Sequence, residues 1–233
     1  MFRELQITLY DIFGYLLPGS VVTLAAVVGL WAVLWPTSTF LLPVQLPALA
    51  TTYLLLICYL AGHLAQAMSN IVERFSKSST KFETTVPLSA ELEKLVRAAA
   101  TKHLGHGAGN VSARELYLLC DQALIHNRSV GEREIFIYRE GFYRGNSVAL
   151  AALAISLFLR TIHSPIQFSI GPRIVDVHRT DVALCAVLTS VGSWLAYRRY
   201  LRFHEHKIQT CFLRFLSLWT SNPSTEKKEN GGT

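Results

Sequence analysis

Tyr59, His63, Gln66 and Asn70 carry the residue types and the spacing that could do chemistry in an apolar setting. Steps of four, three and four positions put all of them on one face of a helix. They lie toward the polar end of Leu46–Val72, LPALATTYLLLICYLAGHLAQAMSNIV, whose residues 48–61 carry no charge. Phenol, imidazole and amide groups within a membrane helix face the helix bundle or a water-filled path. Here they could line a polar passage or bond Asp11, which stands at a similar depth. The competing reading is interhelical hydrogen bonding that serves structure alone, at about 0.6 kcal/mol per bond.

The elements that must position this stripe are four apolar runs: Ile12–Trp35, Ala48–Met68, Ser147–Leu159 with an extension to Phe168, and Val182–Tyr197. A bilayer core of about 30 Å needs about 17–25 helical residues. The first two runs reach that length directly. The third does so if Arg160 is tolerated, and that side chain is expected to snorkel outward. The first run is too long for a secretory leader's apolar segment and contains Pro18 and Gly19, so it reads as a retained helix. Gly14, Pro18 and Gly19 mark either a hinge or close-packing notch or an ordinary kinked span. Trp31 and Trp35 are expected at the far interface. Only 16% of the chain is charged, against about 25% in soluble domains.

Basic residues set orientation. Residues 73–146 hold eleven Lys and Arg and the tail from Arg198 holds seven, while loop 36–47 holds none and 160–180 holds three. With four spans, nineteen of the 22 basic residues share one side. That side, with both termini, is assigned to the cytoplasm.

The expected fold is therefore all-α, an integral membrane protein with four transmembrane helices in two hairpins and a helical cytoplasmic insertion. Residues 1–72 form an interfacial N-terminal helix and the first hairpin, and 73–146 the insertion. Residues 147–197 form the second hairpin, and 198–233 a basic amphipathic helix with a disordered tail. Within the insertion, Ser89 is an N-cap and Gly105 a stop for a helix over 89–104. Ser112–Glu115 and Ser129–Glu132 are capping boxes. The helix opened by the second box is expected to continue into the third span. In the C-terminal helix, Tyr200, Phe203, Lys207, Phe212, Phe215 and Trp219 mix aromatics with cations, as on a helix lying against anionic headgroups.

The remaining signals are weak. Arg139, Tyr143 and Arg144 fall just before the third span, as an interfacial anchor or as a contact through which the insertion moves that span. Cys58, Cys120, Cys185 and Cys211 have no metal or redox spacing and read as buried free thiols. His103 with His106, and His204 with His206, lack the spacing and carboxylates of a metal site. No nucleotide-binding or nucleophile motif is present. Neither catalytic residues, metal nor cofactor is expected. The basic residues follow topology, so nucleic acid is not the expected partner.

Three short motifs carry a resemblance: Tyr10-Asp-Ile-Phe-Gly-Tyr-Leu-Leu-Pro-Gly19, Gly62-His-Leu-Ala-Gln66 and Tyr143-Arg-Gly145. With the span layout, they resemble a diffuse group of small bacterial four-span inner-membrane proteins, some of them antiphage defence effectors. The resemblance implies a bacterial inner membrane. The first expectation is a non-enzymatic effector that forms a homo-oligomer, answers a cytoplasmic cue and perturbs the membrane as a pore or otherwise. The alternative is an anchor or scaffold that recruits a cytoplasmic protein.

Overall fold

The computed structural model describes residues 12–34, 40–42, 47–76, 88–105, 107, 109–127, 133–162, 166–170 and 173–220. Asp11, Trp35, the second capping box at 129–132 and the tail beyond 220 lie outside them. The chain is predominantly helical. A π-helical turn, Ile12–Leu16, leads into α1, Leu17–Leu34; then come β1, Phe40–Leu42, and α2, Ala48–Ser76. Helices α3, Ala90–Leu104, and α4, Ala113–His126, precede the long α5, Arg133–Ile162. Strands β2, Ile166–Ile170, and β3, Arg173–Val177, lead to α6, Arg179–Thr220. Among the described residues, four helical stretches are long and apolar enough to cross a membrane: Gly14–Leu34, Ala48–Ile71, Phe136–Ile162 and Arg179–Trp219.

The chain divides into two compact units. One takes Met1–Glu73 with Tyr138–Leu201; the other takes Arg74–Ile137 with Arg202–Thr233. The boundary falls inside α5 and inside α6.

In the first unit, two connections expected to be irregular loops form a small sheet of order β1-β2-β3. Strand β1 pairs in parallel with β2, Phe40 opposite Phe168. Strands β2 and β3 form a hairpin, from Ile166 opposite Val177 to Ile170 opposite Arg173. Prolines 36, 43 and 47 and the Gly171-Pro172 pair are loop signals. Between them lie short β-branched and aromatic runs that suit strands. Since β1 joins α1 to α2 and β2–β3 join α5 to α6, both connections meet at one end of the bundle.

One further expectation for this unit changes. Arg160 does not snorkel outward; it is 1% exposed. Its guanidinium sits over the Trp31 ring, 3.7 Å from the centroid. Trp31 beneath it is buried and packs with Val182. A buried cation over an indole face gains electrostatic attraction that a solvated one does not.

The second unit has a core of large apolar residues. Val96 and Ala100 of α3 meet Leu116, Cys120 and Leu124 of α4 and Ile208, Cys211, Phe212 and Phe215 of α6. The aromatic stripe expected against headgroups is thus spent inside the protein: Phe212 and Phe215 are fully buried. Their periodicity signals burial without saying against what. Helix α6 is one element of 42 residues, about 63 Å at 1.5 Å per residue, against a bilayer core of about 30 Å. Three cysteines are buried as expected, whereas Cys185 is exposed. Burial, and secondarily the Asp121 carboxylate, pushes the Cys120 thiol up to about 12.

Local capping fixes α3 and α4. Ser89 Oγ accepts from Leu92 N at 3.4 Å. At the Ser112 box, Glu115 N donates to Ser112 Oγ at 3.3 Å and Ser112 N to Glu115 Oε2 at 3.0 Å. Gly105 closes α3 with φ of 115°, a conformation that only glycine adopts cheaply. Arg97 then ties the turn: its guanidinium donates to Gly109 O and Val111 O, both at 2.9 Å, and pairs with Glu93 at 2.8 Å.

Candidate functional site

The polar stripe on α2 meets two other segments of the first unit. Pro18 starts the geometry. In an α-helix the carbonyl of Gly14 would accept from residue 18, but proline has no N–H to give. The backbone here takes the π-helical turn Ile12–Leu16, a form that occurs mostly at special sites. Gln66 Nε2 approaches Gly14 O at 3.4 Å. The same nitrogen donates to Gly141 O of α5 at 2.8 Å. One amide thus links the π turn, α2 and α5. Ser69 is buried beneath it, its hydroxyl donating to Gln66 O at 2.7 Å.

Glycines make the approach possible. A Cβ on Gly62 would strike the backbone of Tyr15, and one on Gly19 the carbonyl of Cys58. A Cβ on Gly145 would lie 2.5 Å from Gln66 Nε2. Small residues of this kind let membrane helices come together backbone to backbone. Of the two readings of the Gly14–Gly19 stretch, Gly19 fits the packing notch.

His63 and Tyr59 enter a second, aromatic contact. The Tyr15 ring stacks on His63, centroids 4.1 Å apart at 20°, and Tyr59 stands edge-on to the same imidazole at 4.7 Å and 80°. Tyr15 covers part of the histidine's π surface, although His63 remains exposed at the surface of the chain. Asn70 is exposed one turn beyond Gln66. Asp11, the proposed partner of the stripe, lies outside the described residues.

Arg139 is exposed, while Tyr143 and Arg144 are half-buried on the next turn of α5. Tyr143 packs edge-on against Phe142 at 5.2 Å. Between them Glu140 is buried, one residue from the Gly141 carbonyl. Tyr15, Gly141 and Glu140 are the parts sequence reasoning missed. The signal for one of them was there: Gly141 and Gly145 stand four apart, a small-residue pair that lets helices approach.

Among the described residues, no group of three His, Cys, Asp or Glu side chains could hold a metal ion. No protein family, no curated protein and no solved structure matches the chain. Chemically, the junction offers one shared amide donor, two backbone acceptors and a phenol–imidazole stack. That set can hold helices in register and can exchange hydrogen-bond partners.

Proposed function

We propose that this chain is a non-enzymatic multi-pass protein of a bacterial inner membrane, an effector whose helices outside the bilayer answer a cytoplasmic cue and release the membrane bundle. The observation that carries this reading is the 2.8 Å hydrogen bond from Gln66 to Gly141. Helix α5 begins among residues of the second unit and presents Gly141 only four residues after the boundary at Ile137. A turn or slide of α5 therefore withdraws the Gly141 carbonyl and leaves the Gln66 amide only its longer contact with Gly14. The link between α2 and α5 is then lost, worth about 0.6 kcal/mol for an average interhelical bond and up to about 1.7 kcal/mol, so the bundle has reason to rearrange. Homo-oligomerisation and pore formation belong to the rearranged state, and a defence role rests on the resemblance of the short motifs alone.

The test uses liposomes of phosphatidylethanolamine and phosphatidylglycerol loaded with a quenched dye. Gln66→Leu removes the amide and is expected to leak without any cue, in step with formation of a closed oligomer by mass photometry. Tight liposomes and a monomeric variant would sink the effector reading.

One observation favours a second reading, an anchor that recruits a cytoplasmic protein. Leu118 and Ile125, two turns apart on one face of α4, are 50% and 54% exposed, and Leu95 of α3 is 58% exposed. Under this reading Leu118→Asp abolishes a co-purifying partner and leaves liposomes tight.

A further inference from the structure

We propose that the groove between α5 and α6 holds one acyl chain of a membrane lipid, taken from the leaflet at the β2–β3 end of the bundle. This rests on the reading that the two helices cross a bilayer. The groove encloses about 600 Å³, within the roughly 300–1,000 Å³ of small-molecule sites. Ala154 and Ala186 are buried and form its floor, while Ile155, Phe158, Val187 and Val191 stand out as its walls.

The polar groups decide the class of ligand. Three hydroxyls line the groove, and each already donates to a backbone carbonyl: Thr161 to Phe158 O at 2.6 Å, Ser190 to Ala186 O at 2.8 Å and Ser193 to Ser147 O at 2.7 Å. None keeps its proton for a ligand. A sugar, nucleotide or headgroup would leave its water hydrogen bonds behind with little in return. A hydrocarbon chain has none to lose.

The dimensions decide the occupant. The lining runs from Ala151 to Thr161 on α5 and from Ala183 to Ser193 on α6. That is about 15 Å of helix at 1.5 Å per residue, half of a core of about 30 Å. At its inner end the helices close up, where Ser193 bonds Ser147 and a Cβ on Gly192 would lie 3.7 Å from Leu150 Cδ1. The opening therefore extends from the α5–α6 connection to mid-bilayer and stops. A spanning helix of a second copy would need a groove along the whole span; an acyl tail needs one leaflet.

The test reconstitutes the full chain in phosphatidylcholine–phosphatidylglycerol nanodiscs with a trace of phosphatidylcholine bearing a diazirine within one acyl tail. After irradiation, adducts are mapped by mass spectrometry. Adducts on Ile155, Phe158, Val187 and Val191 are expected severalfold above those on Leu55 and Leu60, exposed on α2. Ala183→Phe, which fills the groove from an exposed position, should remove the excess and leave α2 labelling unchanged; Val191→Phe does the same from the inner end should the first variant fail to fold. Equal labelling of groove and α2, or adducts joining two copies of the protein through the groove, would overturn the proposal. Absence of lipid adducts on α2 as well would instead overturn the membrane reading beneath it.

Discussion

The two units are packed by opposite rules. In the first, contact surfaces are small or polar: Gly62 against Tyr15, Gly19 against Cys58, Ser193 on Ser147, Gln66 between two carbonyls. Its large apolar side chains, Leu55, Leu60, Leu188 and Trp194 among them, point away from the chain. In the second, Leu116, Leu124, Phe212 and Phe215 are fully buried, and Glu91, Lys94, Lys102 and Arg114 are exposed. Water rewards burial of apolar area at about 25 cal/mol per Å². Hydrocarbon gives no such reward, so membrane helices associate through close backbone packing and hydrogen bonds. That contrast is the one expected of a chain that folds under two solvents, hydrocarbon and water.

The sharpest way to break the comparison is to add bulk where the first unit has none. Gly62→Leu drives a side chain into the backbone of Tyr15, which cannot yield as a flexible side chain would. Loss of the folded α1–α2 pair is expected, measured as loss of monodisperse protein in mild detergent. The matching change in the second unit removes bulk. Phe212→Ala should cost about 3–5 kcal/mol of that unit's stability. The readout is Cys120, fully buried and with its thiol pushed up to about 12. In the intact protein at neutral pH it should resist a water-soluble maleimide, and in Phe212→Ala it should react. Were Gly62→Leu tolerated and Phe212→Ala silent, the two-solvent account would fall.

The same contrast explains what could be read from the sequence. Helix class, the four apolar runs, the Ser112 capping box and the Ser89 cap were legible, because each depends on neighbours within a turn or two. On α4 the apolar spacing marks the buried stripe Leu116, Cys120 and Leu124, while Leu119 beside it and Leu95 on α3 are exposed. Periodicity locates a stripe only to within a residue or so. What it could not give was the partner surface. The stripe on residues 200–219 suits lipid headgroups and a protein core equally well, and only the tertiary fold chose the core. At the junction, His63 and Gln66 were visible as polar groups in an apolar run. The acceptors of Gln66 were not, because a backbone carbonyl has no chemical signature in sequence, and the Gly141–Gly145 spacing marks close packing without naming the helix packed against. Arg160 failed for a related reason: nothing local announces that Trp31 lies under it.

A smaller effect sharpens the membrane side. Gln66→Leu removes one interhelical amide. Measured contributions of such bonds average about 0.6 kcal/mol and reach about 1.7 kcal/mol, so the helices should stay folded even as the bundle loosens, and their unfolding midpoint in detergent should drop only slightly. Gln66→Ala, which also leaves a void, should drop it further. An unchanged midpoint in both variants would mean that the amide adds nothing to the glycine contacts around it.

The smallest effect belongs to the water side. The Ser112 hydroxyl, and then its backbone N–H, hold the Glu115 carboxyl below its ordinary value of 4.5. The folded state thus binds this proton less readily than the unfolded chain does. The capping box contributes its full stability above the unfolded value and loses it as pH falls through the lower, folded one. Glu115 is fully exposed, so the effect is small and weakens with salt. Hydrogen exchange of the first-turn amides of α4 should therefore show less protection, after correction for intrinsic rates, at about pH 3 than near neutrality. Glu115→Gln keeps a side chain that can reach the Ser112 N–H but cannot titrate, so its protection should no longer change with pH. Persistence of the full pH dependence in that variant would assign it to another carboxylate.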